Sequence, residues 1–172
     1  MSSAHGTPEL AVPPPHQSHL RTLRADDLDA VFVMESDQAS ILLAAFTADD
    51  PADRAAFDDH YRRIMASPAI RNFAIEDETG QLVGTIATYP STDGLDEVTY
   101  WIDRSHWGRG HASRALAHVL AQLARPVLAR VVADNRASRR VLEKAGFRVV
   151  GTNWDYAPGR GAEVEELLLR LD

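Results

Sequence analysis

The chain has 172 residues, 45% of them hydrophobic and 25% charged, with a net charge of −7 at pH 7. These are the proportions of one globular domain with a core of ordinary size. Cysteine is absent, which excludes disulfides, thiolate metal sites and a cysteine nucleophile, and the acidic balance argues against a general nucleic-acid binder. No apolar run approaches the roughly 20 residues needed to cross a bilayer, and no basic-then-apolar leader opens the chain. A cytoplasmic protein with no membrane or nucleic-acid partner is expected.

Residues 1–18 are rich in Pro, Ser and His and carry Pro13, Pro14 and Pro15 in a row. With no apolar period they read as a disordered tail, leaving residues 19–172 as the domain. A short strand is expected at 20–23. Asp26 and Asp27 then start a helix bearing Leu28, Val31, Phe32 and Met34 at helical spacing. Asp50 and Pro51 suit the opening of a second helix, with Phe57, Tyr61, Ile64 and Met65 as its apolar stripe. Strands at 72–76 and 81–89 flank a turn in which Gly80 takes positive φ, and so form a hairpin. Residues 97–103 are β-branched and aromatic, hence a strand. Gly108, Arg109 and Gly110 turn the chain into a helix over 112–124, with Ala115, Leu116, Val119, Leu120 and Leu123 on one face. Pro126 ends it. A buried strand follows at 127–133, then a helix capped by Asp134 or Asn135 that runs to Ala145, where Gly146 is a natural C′ residue. Strands at 147–151 and 164–171 complete the order β-α-α-β-β-β-α-β-α-β-β, a mixed α/β domain.

Charge is segregated along the chain. Residues 26–59 hold ten acidic residues and one base, Arg54, whereas residues 101–148 hold nine arginines and Lys144 against three acids. One part can attract cations and another anions, although solvated faces would read the same way.

Three features could carry chemistry. The glycine turn at 108–110 feeds a helix N-terminus, where free N–H groups and the helix dipole favour an anion. It matches neither a P-loop nor the dinucleotide fingerprint, and a plain tight turn is the alternative. Asn135 to Ser138, followed by Glu143, Lys144, Ala145, Gly146 and Phe147, reads as a capped helix. Glu97, at the start of the strand feeding the glycine turn, could act as a base at the rim of an anion site; an exposed strand-end Glu is the plainer reading.

Taken together, Glu97-Val98-Thr99-Tyr100-Trp101-Ile102-Asp103, His106-Trp107-Gly108-Arg109-Gly110-His111-Ala112 and the Asn135/Ser138, Glu143 to Phe147 signature resemble the GNAT acetyltransferase superfamily. The resemblance spans roughly residues 20–171, and the first two stretches are similar to its Rim-type branch, which includes ribosomal-protein N-terminal acetyltransferases. It implies the GNAT fold, acetyl-CoA as co-substrate, no metal, and transfer of acetyl to a primary amine by direct attack in a ternary complex. The acceptor would be a peptide N-terminus or a small amine. A non-catalytic acyl-CoA-binding protein, or a transferase using a longer acyl-CoA, would share these motifs. Trp107 stands where the superfamily's pyrophosphate motif usually has Arg or Gln, as is common in this branch.

The resemblance also implies residue roles. Pyrophosphate would sit on the loop and helix start formed by Trp107, Gly108, Arg109, Gly110, His111, Ala112 and Ser113. Arg109, Arg114, Arg139 and Arg140 are candidates for a phosphate group, since guanidinium matches its oxygens. The pantetheine arm would pair with the backbone of Trp101, Ile102 and Asp103 and hydrogen-bond to Asn135. Glu97 would be the general base, and Ser138, or less directly Tyr156, would protonate the leaving thiolate. An α-amino group, with a pKa near 8, supplies far more neutral amine at pH 7 than a lysine side chain near 10.4. The acidic stretch at 26–59 would line the acceptor side and suit a cationic substrate. A monomer or a homodimer is expected.

Overall fold

The computed structural model describes residues 18–172, so the expected tail lies outside the described residues except for Ser18. The chain runs β1 (His19–Thr22), a 3-10 turn, α1 (Leu28–Glu35), α2 (Gln38–Ala44) and α3 (Arg54–Ala66). β2 (Arg71–Glu76), β3 (Leu82–Pro90) and β4 (Asp96–Ile102) follow. After a second 3-10 turn come α4 (His111–Leu120), β5 (Val127–Val132), α5 (Arg136–Lys144), β6 (Arg148–Ala157) and β7 (Ala162–Leu171). The strands form one sheet in the order β1-β2-β3-β4-β5-β7-β6. Every neighbouring pair is antiparallel except β4 with β5. That parallel pair needs a crossover, which α4 provides.

Alternation along the strands sends side chains to two faces. On one face Ile75, Val83, Ile86 and Val98 pack against Ala115, Leu116, Val119 and Leu120 of α4. On the other, Leu23 and Ala74 pack with Val31 and Met34 of α1 and Tyr61 of α3. Each fully buried aliphatic side chain contributes roughly 1.5–3 kcal/mol relative to leaving it in water. The α4–α5 face and the α1–α3 face are therefore two separately packed layers over one sheet.

The mixed α/β class and the strand sequence agree with expectation, but the first helical region has three helices rather than two. The additional helix, α2, is only seven residues long and follows α1 after a break at Ser36 and Asp37. Asp37 caps it by accepting from the Ser40 N–H at 2.9 Å. The start of α3 is also later than expected. Asp53 rather than Asp50 is its cap, accepting from the Ala56 N–H at 2.9 Å, while the Asp50 side chain closes a preceding turn through Ala52. Met65 lies outside the stripe and is exposed. α4 stops at Leu120, four residues short of expectation. Arg125 donates to the Leu120 carbonyl at 3.2 Å, satisfying an acceptor at that end. β6 is twice as long as expected, because it pairs with β7 up to Ala157.

Candidate active site

The site begins where the parallel ladder fails. β4 and β5 pair only from Asp96 opposite Val127 to Val98 opposite Ala129. Beyond that point β5 continues with β7 alone, and the strands leave a cavity of about 530 Å³ between them. The residues of β4 from Thr99 to Ile102 line this gap, so an edge of the strand faces open space in the middle of the sheet. The cavity opens to both faces: α4 and α5 supply Ala112, Ser138 and Val141, and α2 supplies Ser40, Leu43 and Ala44.

On the α4–α5 face the wall is a helix start. Gly108 and Gly110 both have positive φ, 75° and 78°, a region costly for side chains with a Cβ. Gly110 is the N-cap of α4. A Cβ added there would lie 2.7 Å from an Arg114 guanidinium nitrogen. That guanidinium is fixed in turn, donating to the Arg109 carbonyl at 2.9 Å and to the Ser18 hydroxyl at 3.0 Å. His111 is buried with Nδ1 2.8 Å from the same hydroxyl. Burial, then the neighbouring Arg114, pushes its pKa down, so it is a neutral wall residue rather than an added cation. A second cavity of about 280 Å³ adjoins the first across Trp107, Gly108 and Ala112, and carries Ser113, Arg140 and Lys144 on its lining. The Trp107 indole N–H is anchored to the Ile102 carbonyl at 2.8 Å.

The predicted cofactor residues thus fall into groups. Trp101, Ile102, Trp107, Gly108, Ala112, Asn135 and Ser138 line the main cavity, and Gly110, His111 and Ser113 line its extension. Asp103 instead caps the turn after β4, accepting from the Ser105 N–H at 2.9 Å. Arg139 lines neither cavity and pairs with Glu143 at 2.7 Å on the outer face of α5. Arg109 contributes its backbone to the loop. Asn135 has two uses: its carbonyl oxygen caps α5 through the Ser138 N–H, and its amide donates to the Leu43 carbonyl at 3.1 Å, tying α2 to the cavity wall.

Hydroxyl chemistry sits with Ser138 and a residue given no role from sequence, Tyr100. Their hydroxyls are 2.8 Å apart. Burial pushes the Tyr100 phenol up to about 12, only partly offset by Ser138, so it keeps its proton at neutral pH. Tyr156 is exposed on β6 and lines none of the three cavities described.

The α1–α3 face carries the charge. Glu97 is 3% exposed, not a strand-end solvent residue. Its Oε1 accepts from the Tyr89 hydroxyl at 2.9 Å and from Arg130 Nε at 3.1 Å. Arg130 also reaches Glu166 at 3.4 Å. The four residues come from β3, β4, β5 and β7 and all line the main cavity. Burial holds the Glu166 carboxyl above its usual range; Arg130 opposes this, and the like charge of Glu97 adds to it. Adjoining the main cavity across Thr99, Tyr100 and Trp101 lies a cavity of about 160 Å³ that includes Glu35, His60 and Tyr61. The Tyr61 hydroxyl donates to Glu35 at 2.6 Å, and burial pushes the Glu35 carboxyl up.

The acidic stretch therefore does not form the cavity mouth. Asp37 and Asp53 cap helices, Asp27 pairs with Arg21, Asp29 and Asp58 pair with Arg54, and Asp59 pairs with Arg62. Of the acidic residues in the stretch only Glu35 lines one of these cavities. The carboxylates at the main cavity are Glu97 and Glu166, distant in sequence from it. An isolated Arg130 inside the otherwise apolar β5 was the available clue to that cluster. Among the described residues, no group of three or more metal-ligating side chains gathers, and no helix is long and apolar enough to cross a membrane.

Comparison with known proteins agrees with this architecture. An uncharacterized N-acetyltransferase p20 of Bacillus licheniformis is 27% identical over 115 residues, which cover 62% of this chain and 64% of that protein, so less than two thirds of the relative is matched. The RimJ structure from Mycobacterium smegmatis, in complex with CoA-disulfide, is 27% identical with a TM-score of 0.76, over 90% of this chain and 81% of that one. The spermidine N-acetyltransferase of Vibrio cholerae, in complex with CoA and spermine, shares the fold at 20% identity and a TM-score of 0.75, over 90% and 95% of the two chains. The family model described as the acetyltransferase (GNAT) domain matches residues 18–148, and the chain belongs to that family.

Proposed function

We propose that the protein is an N-acetyltransferase that moves an acetyl group from acetyl-CoA to a primary amine carrying positive charge, by direct attack in a ternary complex. The observation that carries this reading is one cavity through the sheet with a glycine-turned helix start on one face and a carboxylate pair on the other. The fit to acetyl-CoA is chemical. The N–H groups at the start of α4, on a loop whose glycines leave room for a close approach, suit a pyrophosphate, and Arg140 and Lys144 suit a further phosphate. The open edge of β4 suits an extended amide-bearing arm, with Asn135 beside it.

Acetyl-CoA supplies the activated thioester: the amine nitrogen bonds to its carbonyl carbon, the C–S bond breaks, and an amide and CoA thiol result. Glu97 takes the proton lost by the amine, directly or through a water. Tyr100 and Ser138 supply the proton to the thiolate, as a hydroxyl pair in which the phenol is still protonated. Arg130 holds Glu97 in place and separates it from Glu166. Two carboxylates against one guanidinium leave the acceptor end short of one positive charge, which the substrate ammonium brings. The resemblance to the Rim-type branch supports a peptide N-terminus as the acceptor class.

Calorimetry with acetyl-CoA, followed by a panel of peptide and small amines with free CoA thiol as the readout, tests the proposal. Micromolar binding and thiol release with cationic amines are expected. Binding with no release for any amine would make the chain an acyl-CoA-binding protein, and faster turnover with longer acyl groups would correct the donor. Better turnover with neutral or acidic acceptors would remove the charge argument.

A further inference from the structure

The two edges of the sheet are built differently. β1 is four residues long and carries His19 and Arg21, the short, charged type of edge that resists pairing. β6, at the other edge, is ten residues long, and eight of those residues are exposed. Val149, Val150, Trp154 and Tyr156 lie on it at 42%, 55%, 64% and 58% exposure. They are half of the large exposed hydrophobics among the described residues. A long apolar edge of this kind is a template for another strand.

The pairing with β7 fixes which way each β6 residue faces. Val149, Thr152, Trp154 and Tyr156 stand opposite Leu169, Leu167, Glu165 and Glu163, while Arg148, Gly151, Asn153 and Asp155 stand opposite Arg170, Leu168, Glu166 and Val164. The two sets lie on opposite faces, and the register shifts at Val150 between them. A twofold axis normal to the sheet keeps each residue on its own face, so residues that meet across it must belong to the same set. With Thr152 on the axis, Gly151 meets Asn153 of the second copy. With Val150 as the bulge, Val149 then meets Trp154 and Arg148 meets Asp155. Symmetry makes each of these pairs twice. Moving the axis to Trp154 sets Asp155 against Asn153 and leaves Arg148 without an acid. Among the described residues Arg148 makes no ion pair or side-chain hydrogen bond, and the Asp155 carboxylate accepts only from the adjacent Tyr156 N–H.

We propose that β6 is the contact strand of a homodimer, paired antiparallel with β6 of a second copy about an axis at Thr152. The occupant is a second copy because charge and apolar surface on this edge are complementary to themselves under that axis. The two sheets join into one.

The test is the mass of the full chain in solution by sedimentation equilibrium, expected at twice 18.9 kDa. Arg148→Asp and Asp155→Arg should each weaken the dimer at least about tenfold, because like charges then face each other at two symmetric positions. The double variant Arg148→Asp/Asp155→Arg should restore it. Thr152→Cys gives the chain its only cysteine. Residues directly opposite in an antiparallel pair have Cα atoms about 4.5–5.5 Å apart, within disulfide reach, so mild oxidation should yield a covalent dimer, while Thr79→Cys in the distant β2–β3 turn should not. A monomer at every concentration overturns the proposal. So does a dimer indifferent to both charge reversals, or one that Thr152→Cys does not cross-link.

Discussion

The cavity has two walls of different origin. On the α4–α5 face it is bounded largely by consecutive residues: the Gly108 to Ser113 turn and the first turn of α5. What it presents there is mainly backbone, turned by φ angles that glycine supplies. On the α1–α3 face it is bounded by Tyr89, Glu97, Arg130 and Glu166, single side chains from four strands. The first wall tolerates change in side chain as long as the backbone can turn. The second depends on each side chain and on the sheet register that brings it there. Damage to the first should therefore appear as lost donor affinity, and damage to the second as lost turnover or acceptor affinity.

The sharpest separation comes from Glu97→Gln. Turnover should fall by about 10²-fold or more, the usual value of a general base, while calorimetric affinity for acetyl-CoA stays as in the wild type. Unchanged turnover would take Glu97 out of the chemistry and leave it as an anchor for Arg130. Gly110→Val gives the opposite pattern. Holding a β-branched residue at φ near +78° costs about 1–2 kcal/mol or more, and its Cβ meets the Arg114 guanidinium. Acetyl-CoA binding should weaken about tenfold, with turnover largely recovered at saturating donor. Loss of turnover that saturating donor cannot restore would mean that the two walls are not separable.

Glu166→Gln refines the acceptor side. Its carboxyl is held above the usual range by burial, so its negative charge develops at higher pH than an ordinary glutamate's. In the wild type, KM for a cationic acceptor should therefore fall as pH rises through that elevated value. In the variant this limb should vanish, with KM raised about fivefold, the worth of roughly one kcal/mol of ion pairing. An identical KM–pH profile in the two proteins would exclude Glu166 from acceptor binding.

The same contrast explains what could be read from the sequence. The glycine turn, the Asn135 cap and Gly146 were legible because each is a local rule that the next few residues complete. Glu97 was legible as a residue but not in its setting, since Tyr89 and Arg130 reach it only through strand pairing. That Tyr100 lines the cavity while Tyr156 is exposed was not legible, because facing the cavity rather than solvent depends on where β4 and β5 part. The acidic count over 26–59 misled for a related reason. A carboxylate in a helical region is more often spent on a cap or a surface pair than on a pocket, and composition does not distinguish these uses.

The smallest expected effect lies away from both walls. Arg21 clamps Asp27 through two hydrogen bonds of 2.7 Å and Glu76 through one of 2.6 Å, tying the β1 edge to the start of the helical layer. The Arg21 hydrogen bond, ahead of the opposing effect of burial, holds the Asp27 carboxyl below its usual range. A depressed carboxyl stabilises the fold above the unfolded-state pKa, and that contribution fades as pH falls through the folded-state value. Asp27→Asn should cost about 1–3 kcal/mol at pH 7, a fall of a few degrees in Tm for a chain of this size. The difference from wild type should close as the solution is acidified below the ordinary aspartate range. Acetyl-CoA affinity and turnover below the transition should not change, since neither wall contains this clamp. A change in either would mean that the β1 edge is coupled to the cavity through Ser18, which stands next to β1 and holds both His111 and Arg114 at the glycine loop.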